Sequence, residues 1–368
     1  MPPRKTFLYE QHSRLGGRIV DFMGWQLPVQ YEKGILAEHA QCRRSACLFD
    51  TGHMGQILIS GEHAADDLAG ILTQNPHALP VGRARYGLLL NEDGGIRDDT
   101  ILMRLGQYEF LLVVNAAPLI EDLMWLLKHA SSDTHIVDQT QTWGKLDLQG
   151  PESYNILNAL VDIDLAQLGY FNATHGQITG LRCIISRTGY TGELGYEIFI
   201  PAQNLDELFE TFLDDPRVAP AGLGARDLLR LEMCYPLYGQ DMTDQTNPFQ
   251  AALGTFIHFD HEFIGSGPIR PIAEKGPEKI LAAFTAETRR KPPHGAMILQ
   301  DGQPVGQVTS GAWSPCLECS IGMGYVPVEL AKPGIELIVD AGRAQIPVTI
   351  ADKPLYKNGT CRKKNLRS

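Results

Sequence analysis

Two stretches of this chain carry side chains whose types and spacing could do chemistry. The first runs from Ser186 to Glu232 and reads SRTGYTGELGYEI, then an amphipathic run, then AGLGARDLLRLE. It brings together a Gly-rich turn, acids on a strand-like segment and an Arg-Asp pair entering a helix, a combination that suits a pocket for a flat, polar ring. Tyr190 and Glu193 lie in or near the turn, and Glu197 follows Tyr196 in the strand-like EIFI. The Glu197 carboxylate either faces solvent or is aimed at a ligand with two adjacent N–H donors, which a carboxylate can hold bidentately. Arg226 and Asp227 fall in the first turn of a helix. The acid there suits the helix dipole; Arg226 gains nothing from it, so a specific partner is expected. Arg230 and Glu232, further along, read as ordinary surface or interdomain pairs.

The second stretch is Asn91–Asp99, NEDGGIRDD. A Glu-Asp-Gly-Gly turn links two strands, and Asp98 and Asp99 open the second. Neighbouring strand residues face opposite sides of a sheet, so only one of these acids can point into any given cavity. Two readings stand at this point: a charged hairpin edge that discourages strand pairing, or one carboxylate held at a pocket wall as acceptor or general base. His53, in DTGHMGQ beside a strand, reads as a structural histidine.

The elements that must position these residues follow from periodicity. An extended stretch FMGWQLPVQY precedes a helix from Ile35 to Cys47. Strands are expected at 56–60, 85–91, 100–104, 108–114, 144–149, 181–187 and 195–200, and helices at 63–72, 118–129, 151–161, 203–213 and 224–233. Consecutive antiparallel strands with helices packed to one side give an α+β class. From about Glu278 short apolar runs alternate with Gly and Pro, without helical period, which predicts a small antiparallel barrel or sandwich. Residues 265–278 (GSGPIRPIAEKGPE) read as the linker to it.

Length and composition bound the class. At 368 residues the chain can bury a large core in two or three domains. A net charge of −11 argues against nucleic acid as the main ligand. The exception is the tail, where Lys357, Arg362, Lys363, Lys364 and Arg367 crowd together, either as a solvated terminus or as a basic edge for an acidic partner. Seven cysteines do not describe a disulfide framework, and Cys316-Leu-Glu-Cys319 is half of a usual zinc site at most, so no metal is expected. No secretory signal and no membrane-spanning run is read, which points to a reducing, cytoplasmic compartment. There is no P-loop, no dinucleotide fingerprint, no nucleophile elbow and no zinc-protease helix.

Taken in order, LYEQH, FMGWQLPVQY, LFDTGHMGQ, NEDGGIRDD, VVNAA, LDLQGP, SRTGYTGELGYEI, GLGARDLLRLE, LYGQDM, NPFQAALG, FIG, VTSG and MGYVP resemble the aminomethyltransferase, or T-protein, of the glycine cleavage system over nearly the whole chain. The resemblance implies a three-domain, clover-like fold around a channel that binds tetrahydrofolate. Its first α+β domain would combine 1–50 with 141–240, its second 51–140 with 241–275, and a C-terminal β-barrel would span 279–368. Asp99 would be the catalytic acid. Glu197 and Arg226 would contact the folate, Glu197 taking the paired donors of the pterin, with Tyr190, Tyr86 and Met54 lining the same pocket. The substrate would be an aminomethyl group on the lipoyl arm of the H-protein, its methylene passing to tetrahydrofolate with release of ammonia. The chain departs from the family pattern at Asp50-Thr51-Gly52-His53-Met54, at Thr255-Phe256 and near Thr360. The basic tail and Arg43-Arg44 are candidate H-protein docking elements. The same fold serves other folate-dependent demethylases and a non-enzymatic folate-binding branch that assists iron–sulfur assembly. The latter's Lys-Gly-Cys-Tyr segment is replaced here by SRTGYTGELGYE.

Overall fold

The computed structural model describes residues 2–366; Arg367 of the basic tail lies outside the described residues. The chain divides into two compact units, Met1–Gly87 with Thr100–Asp227 and Gly359–Ser368, and Leu88–Asp99 with Leu228–Asn358.

The first unit is built on a six-stranded sheet whose spatial order is Ala173–Ile178, Leu181–Ser186, Gly195–Pro201, Trp143–Gln149, Ala46–Asp50 and Val218–Pro220. Alternation sorts its two faces. Tyr196, Ile198 and Ile200 join Leu146, Leu148 and Leu48 in one apolar core. Helix Leu205–Leu213 closes that core, because Leu205, Leu208, Phe209 and Phe212 recur on one of its faces and all are buried. The other face is where the polar residues fall. Strand Trp143–Gln149 pairs antiparallel with Gly195–Pro201, setting Asp147 opposite Glu197 and Lys145 opposite Phe199. On the other flank Asp147 lies opposite Phe49. Register and parity together put Lys145, Asp147, Glu197, Phe49 and Phe199 on one side of the sheet.

The helix expected over 35–47 is Ile35–Arg44, and Cys47 belongs to the strand Ala46–Asp50. All five residues of that strand are buried, and such a continuous apolar run reads equally well as the end of a helix. A three-stranded sheet of Arg4–Lys5, Trp25–Gln30 and Arg18–Phe22 lies in the same unit. A five-stranded sheet has the order Ala84–Leu90, Ile96–Arg104, Glu109–Val114, Gly55–Ser60, His135–Asp138. In its first two strands the chain passes from one unit to the other.

The second unit contains a closed barrel of Lys279–Ala286, Cys319–Pro327, Gln303–Ser314, Met297–Gln300, Glu336–Asp340 and Gln345–Ala351. Phe284, Ile298, Val326, Val339 and Ile350 fill it, so the all-strand reading of this region holds. Cys316 sits at the turn between two barrel strands and Cys319 opens the second of them; neither takes part in a disulfide. The stretch read as a linker is largely helix, Ser266–Lys275. Its Gly and Pro content hides it in sequence, but Pro268 stands in the first turn, where a missing N–H costs nothing, and Ile269 is fully buried. Arg230 and Glu232 are not surface residues: both are fully buried. Arg230 donates to Asp241 at 2.5 Å and to Ser310 at 2.8 Å, and Ser314 donates to Glu232 at 2.5 Å.

In the same unit the NEDGG turn is tied down. The Asn91 side-chain oxygen accepts from the N–H groups of Asp93 and Gly95, its amide donates to the Asp244 carbonyl, and the N–H of Ile96 donates to the Thr246 carbonyl. A Cβ on Gly95 would fall 1.8 Å from the Asp244 oxygen, so only glycine permits this approach. The strand that follows starts at Ile96, and its alternation buries Asp98 completely while leaving Asp99 half-exposed.

Candidate active site

The polar face of the six-stranded sheet holds a buried group of two acids and two cations. Directly opposed like charges in a sheet repel, and Asp147 and Glu197 are directly opposed. Lys145, two residues before Asp147 on the same face, resolves the conflict. Its Nζ lies 2.6 Å from Asp147 Oδ1, 2.7 Å from Glu197 Oε2 and 3.0 Å from Thr51 Oγ1. Arg226, in helix Leu223–Glu232, donates to the other Asp147 oxygen at 2.9 Å. Burial by itself would raise the Asp147 pKa, but the charges of Lys145 and Arg226 outweigh it and hold the carboxyl below its ordinary value.

The group is unevenly satisfied. Both oxygens of Asp147 are engaged, whereas Glu197 uses only Oε2. Its Oε1 makes no hydrogen bond among the described residues, and neither do the Nε and second terminal nitrogen of Arg226. Glu197 thus offers an acceptor on a side chain that is 11% exposed, and Arg226 offers spare N–H donors. The Arg226 guanidinium also lies over the rings of Tyr190, 5.2 Å from the centroid, and Phe49, at 6.0 Å. Flat aromatic walls beside a free acceptor and free donors are chemically matched to a planar heterocycle with both kinds of hydrogen-bonding group.

Beside Arg226 a narrow cleft is lined by Leu27, Pro28, Phe49, Asp50 and Gly222. A chain of hydrogen bonds supports it: His12 Nε2 lies 2.9 Å from Asp50 Oδ2, and the Tyr31 hydroxyl lies 2.8 Å from His12 Nδ1. Burial pushes the Tyr31 hydroxyl pKa up, so it stays a donor. Burial would also raise Asp50, but the bond and charge of His12 and the Gly52 N–H hold it below its ordinary value. Glu38 fixes the cleft's rim by accepting from the N–H groups of Tyr31 at 2.5 Å and Gly222 at 2.9 Å. A Cβ on Gly222 would lie 2.6 Å from backbone atoms of Pro28 and Val29, which is why glycine stands there.

The GYTGELG turn is ordered by Gln149, which donates to the Thr188 carbonyl at 3.2 Å and accepts from the Thr191 hydroxyl at 2.9 Å. Glu193 in that turn is committed elsewhere: Arg43 donates to it at 2.8 Å and the Thr360 hydroxyl at 2.5 Å. Arg43 is therefore a buried ion-pair partner and not a docking residue; Arg44 beside it is exposed.

Two profiles of one family match the chain in succession: the GCVT N-terminal domain over residues 8–261 and the glycine cleavage T-protein C-terminal barrel domain over residues 279–357. The chain belongs to the glycine cleavage T-protein family. It is 40% identical over 340 residues to an aminomethyltransferase of Halothermothrix orenii, covering 91% of this chain and 95% of the relative. With an aminomethyltransferase of Geobacillus kaustophilus it shares 38% over 360 residues, 96% of this chain and 99% of the relative. The crystal structure of the glycine cleavage system aminomethyltransferase T from Bartonella henselae superposes with a TM-score of 0.91 at 33% identity, covering 96% of this chain and 98% of that one.

Of the residues singled out from sequence in this T-protein family chain, Glu197, Arg226 and Tyr190 come together around Asp147. Met54 is half-buried against an apolar cluster that includes Phe199. Tyr86 lies half-exposed on the part of strand Ala84–Leu90 that belongs to the first unit, and Asp99 belongs to the second. Sequence reasoning missed Lys145, Asp147 and Asp50. The signal available was the alternation in WGKLDLQ, which sets a cation and an acid on one face of an otherwise apolar strand.

Two outcomes follow. Lys145→Met leaves Asp147 with Arg226 as its remaining cation and Glu197 with none. It is expected to cost about 3–5 kcal/mol in chemical denaturation. His53 is buried, and burial is the first cause that lowers its pKa from 6.5 to about 4, with Arg226 and Lys145 adding to it against Asp50 and Asp147. Between those values the unfolded chain binds a proton that the native state does not, so stability falls as pH falls from 6.5 to 4, by about 3 kcal/mol from this group. His53→Gln is expected to flatten that part of a stability-versus-pH curve.

Proposed function

We propose that this protein is the aminomethyltransferase of the glycine cleavage system. It takes the methylene of an aminomethyl group carried on the lipoyl arm of the H-protein, passes it to tetrahydrofolate and releases ammonia. The observation that carries the reading is the buried sheet face of Glu197, Lys145, Asp147 and Arg226 in a chain whose relatives of nearly full length are aminomethyltransferases. The three-domain division expected from sequence is part of the same proposal. A cytoplasmic site of action accords with the fact that no helix among the described residues is long and apolar enough to cross a membrane.

The roles follow from what each group has left to offer. Glu197, held by Lys145 through one oxygen, accepts from the paired donors of the pterin ring through the other. Arg226 is held by Asp147 and directs its other N–H groups at ring oxygens, with Tyr190 as a wall. Met54 and Tyr86 complete the lining. Tetrahydrofolate, when bound, supplies the amine nitrogens that receive the one-carbon unit. Asp99, the half-exposed member of its pair, is the carboxylate that hydrogen-bonds the reacting amine, holds it in position and takes up a proton. Its strand is fixed by the Asn91 turn, so the acid is pre-positioned.

The decisive assay is ammonia release from aminomethylated H-protein with and without tetrahydrofolate; dependence on both is expected, and release from free small amines without H-protein would instead indicate a demethylase. Asp99→Asn is expected to lower turnover by about two to four orders of magnitude with little change in folate affinity. Glu197→Gln is expected to weaken folate binding about tenfold or more in equilibrium titration. Full turnover in the first variant, or unchanged affinity in the second, removes the corresponding role.

A further inference from the structure

A second polar cleft in the first unit is not used by any of these roles. It is an open cleft of about 470 Å³ lined by Ala166, Gly169, Tyr170, Arg187, Arg362, Lys363 and Lys364. Four of these seven are cations and no carboxylate lines the cleft among the described residues, in a chain whose net charge is −11.

Arg187 is its floor. This residue is 4% exposed, and every hydrogen bond it makes goes to a neutral carbonyl: to Leu168 at 3.2 Å, to Cys361 at 3.4 Å and to Lys363. Its Nε is buried with no partner among the described residues. A buried guanidinium without a carboxylate is costly, and the cost falls when an anion enters beside it. The same bonds fasten the tail backbone. Thr360 adds to this by donating to Glu193 and accepting from the Leu194 N–H at 2.8 Å, and the Cys361 N–H donates to the Gly192 carbonyl at 3.1 Å. The cations of 362–364 are therefore carried on a segment that is already anchored, which lowers the ordering cost of binding.

We propose that this cleft is a binding site for a small, multiply charged anion, a phosphate or carboxylate group of a small molecule. Arg187 supplies the buried charge, and Arg362, Lys363 and Lys364 supply the exposed ones. The proposal is independent of the folate reading, because none of its residues belongs to the Glu197–Arg226 group.

The test is isothermal titration of the full-length protein with pyrophosphate and, separately, citrate, at an ionic strength held constant with sodium chloride. Saturable binding of one or both is expected; pyrophosphate alone identifies a phosphate ligand and citrate alone a carboxylate ligand. The R362A/K363A/K364A variant is expected to weaken that binding about tenfold or more, whereas K363R/K364R retains it. Arg362→Ala alone serves as a milder variant, since the tail is held by its backbone carbonyls, by the Thr360 hydroxyl and by the buried Leu366. Absence of saturable binding by either anion, or unchanged binding in the triple variant, overturns the proposal. Binding confined to a hexaglutamate peptide also overturns it, in favour of a surface for acidic protein segments.

Discussion

The ammonium group of Lys145, set between Asp147 and Glu197, is the interaction on which the described site depends. An antiparallel register that opposes two carboxylates on a largely buried sheet face is unstable without a cation between them. Lys145 reaches both acids at hydrogen-bond distance, and Arg226 completes the balance from a helix. The consequence is chemical as well as structural. Lys145 engages one Glu197 oxygen and leaves the other unused, and Arg226 keeps donors to spare, so the groups that stabilise the sheet are those the proposed folate site would use.

Around that centre, the first unit uses side-chain anchors to set loops at fixed positions. Glu38 holds two backbone N–H groups on either side of a cleft, Gln149 orders the GYTGELG turn, and Glu193 joins Arg43 to the C-terminal tail. Loops held this way are stiff enough to present side chains to a ligand without reorganisation. The second unit shows the same habit, with Arg230 and Asp241 pinning a helix end to a barrel strand through Ser310. The pairs Arg43–Glu193 and Arg230–Asp241 are buried and hydrogen-bonded, which makes the loss of one partner far more damaging than the pair's own net worth.

Much of this was legible in the chain. The barrel texture after residue 278, the helix Leu205–Leu213, the strand Gly195–Pro201 and the turn before Asp98-Asp99 are all signalled by local patterns of two, three or four residues and by Gly and Pro punctuation. Where local pattern is ambiguous, the reading went astray. The buried strand Ala46–Asp50 reads as helix end because it lacks alternation, and helix Ser266–Lys275 reads as linker because its apolar anchor is a single Ile269. Arg230 and Glu232 read as surface residues because charge alone suggests exposure, while their partners lie far along the chain.

By itself the sequence determined the class of fold, the family and which segments would border a site, since these follow from short-range periodicity and from ordered motifs. It also narrowed the acid pair to one accessible member, because strand parity requires it. Only the tertiary structure decided that Lys145 and Asp147 belong with Glu197 and Arg226. Asp147 and Arg226 are 79 positions apart, and their meeting depends on strand register and on where a helix begins. Those are set by the packing of the opposite, apolar face of the sheet. It was likewise the fold that consumed Glu193 and Arg43 in a buried pair and left Glu197 with an oxygen to give.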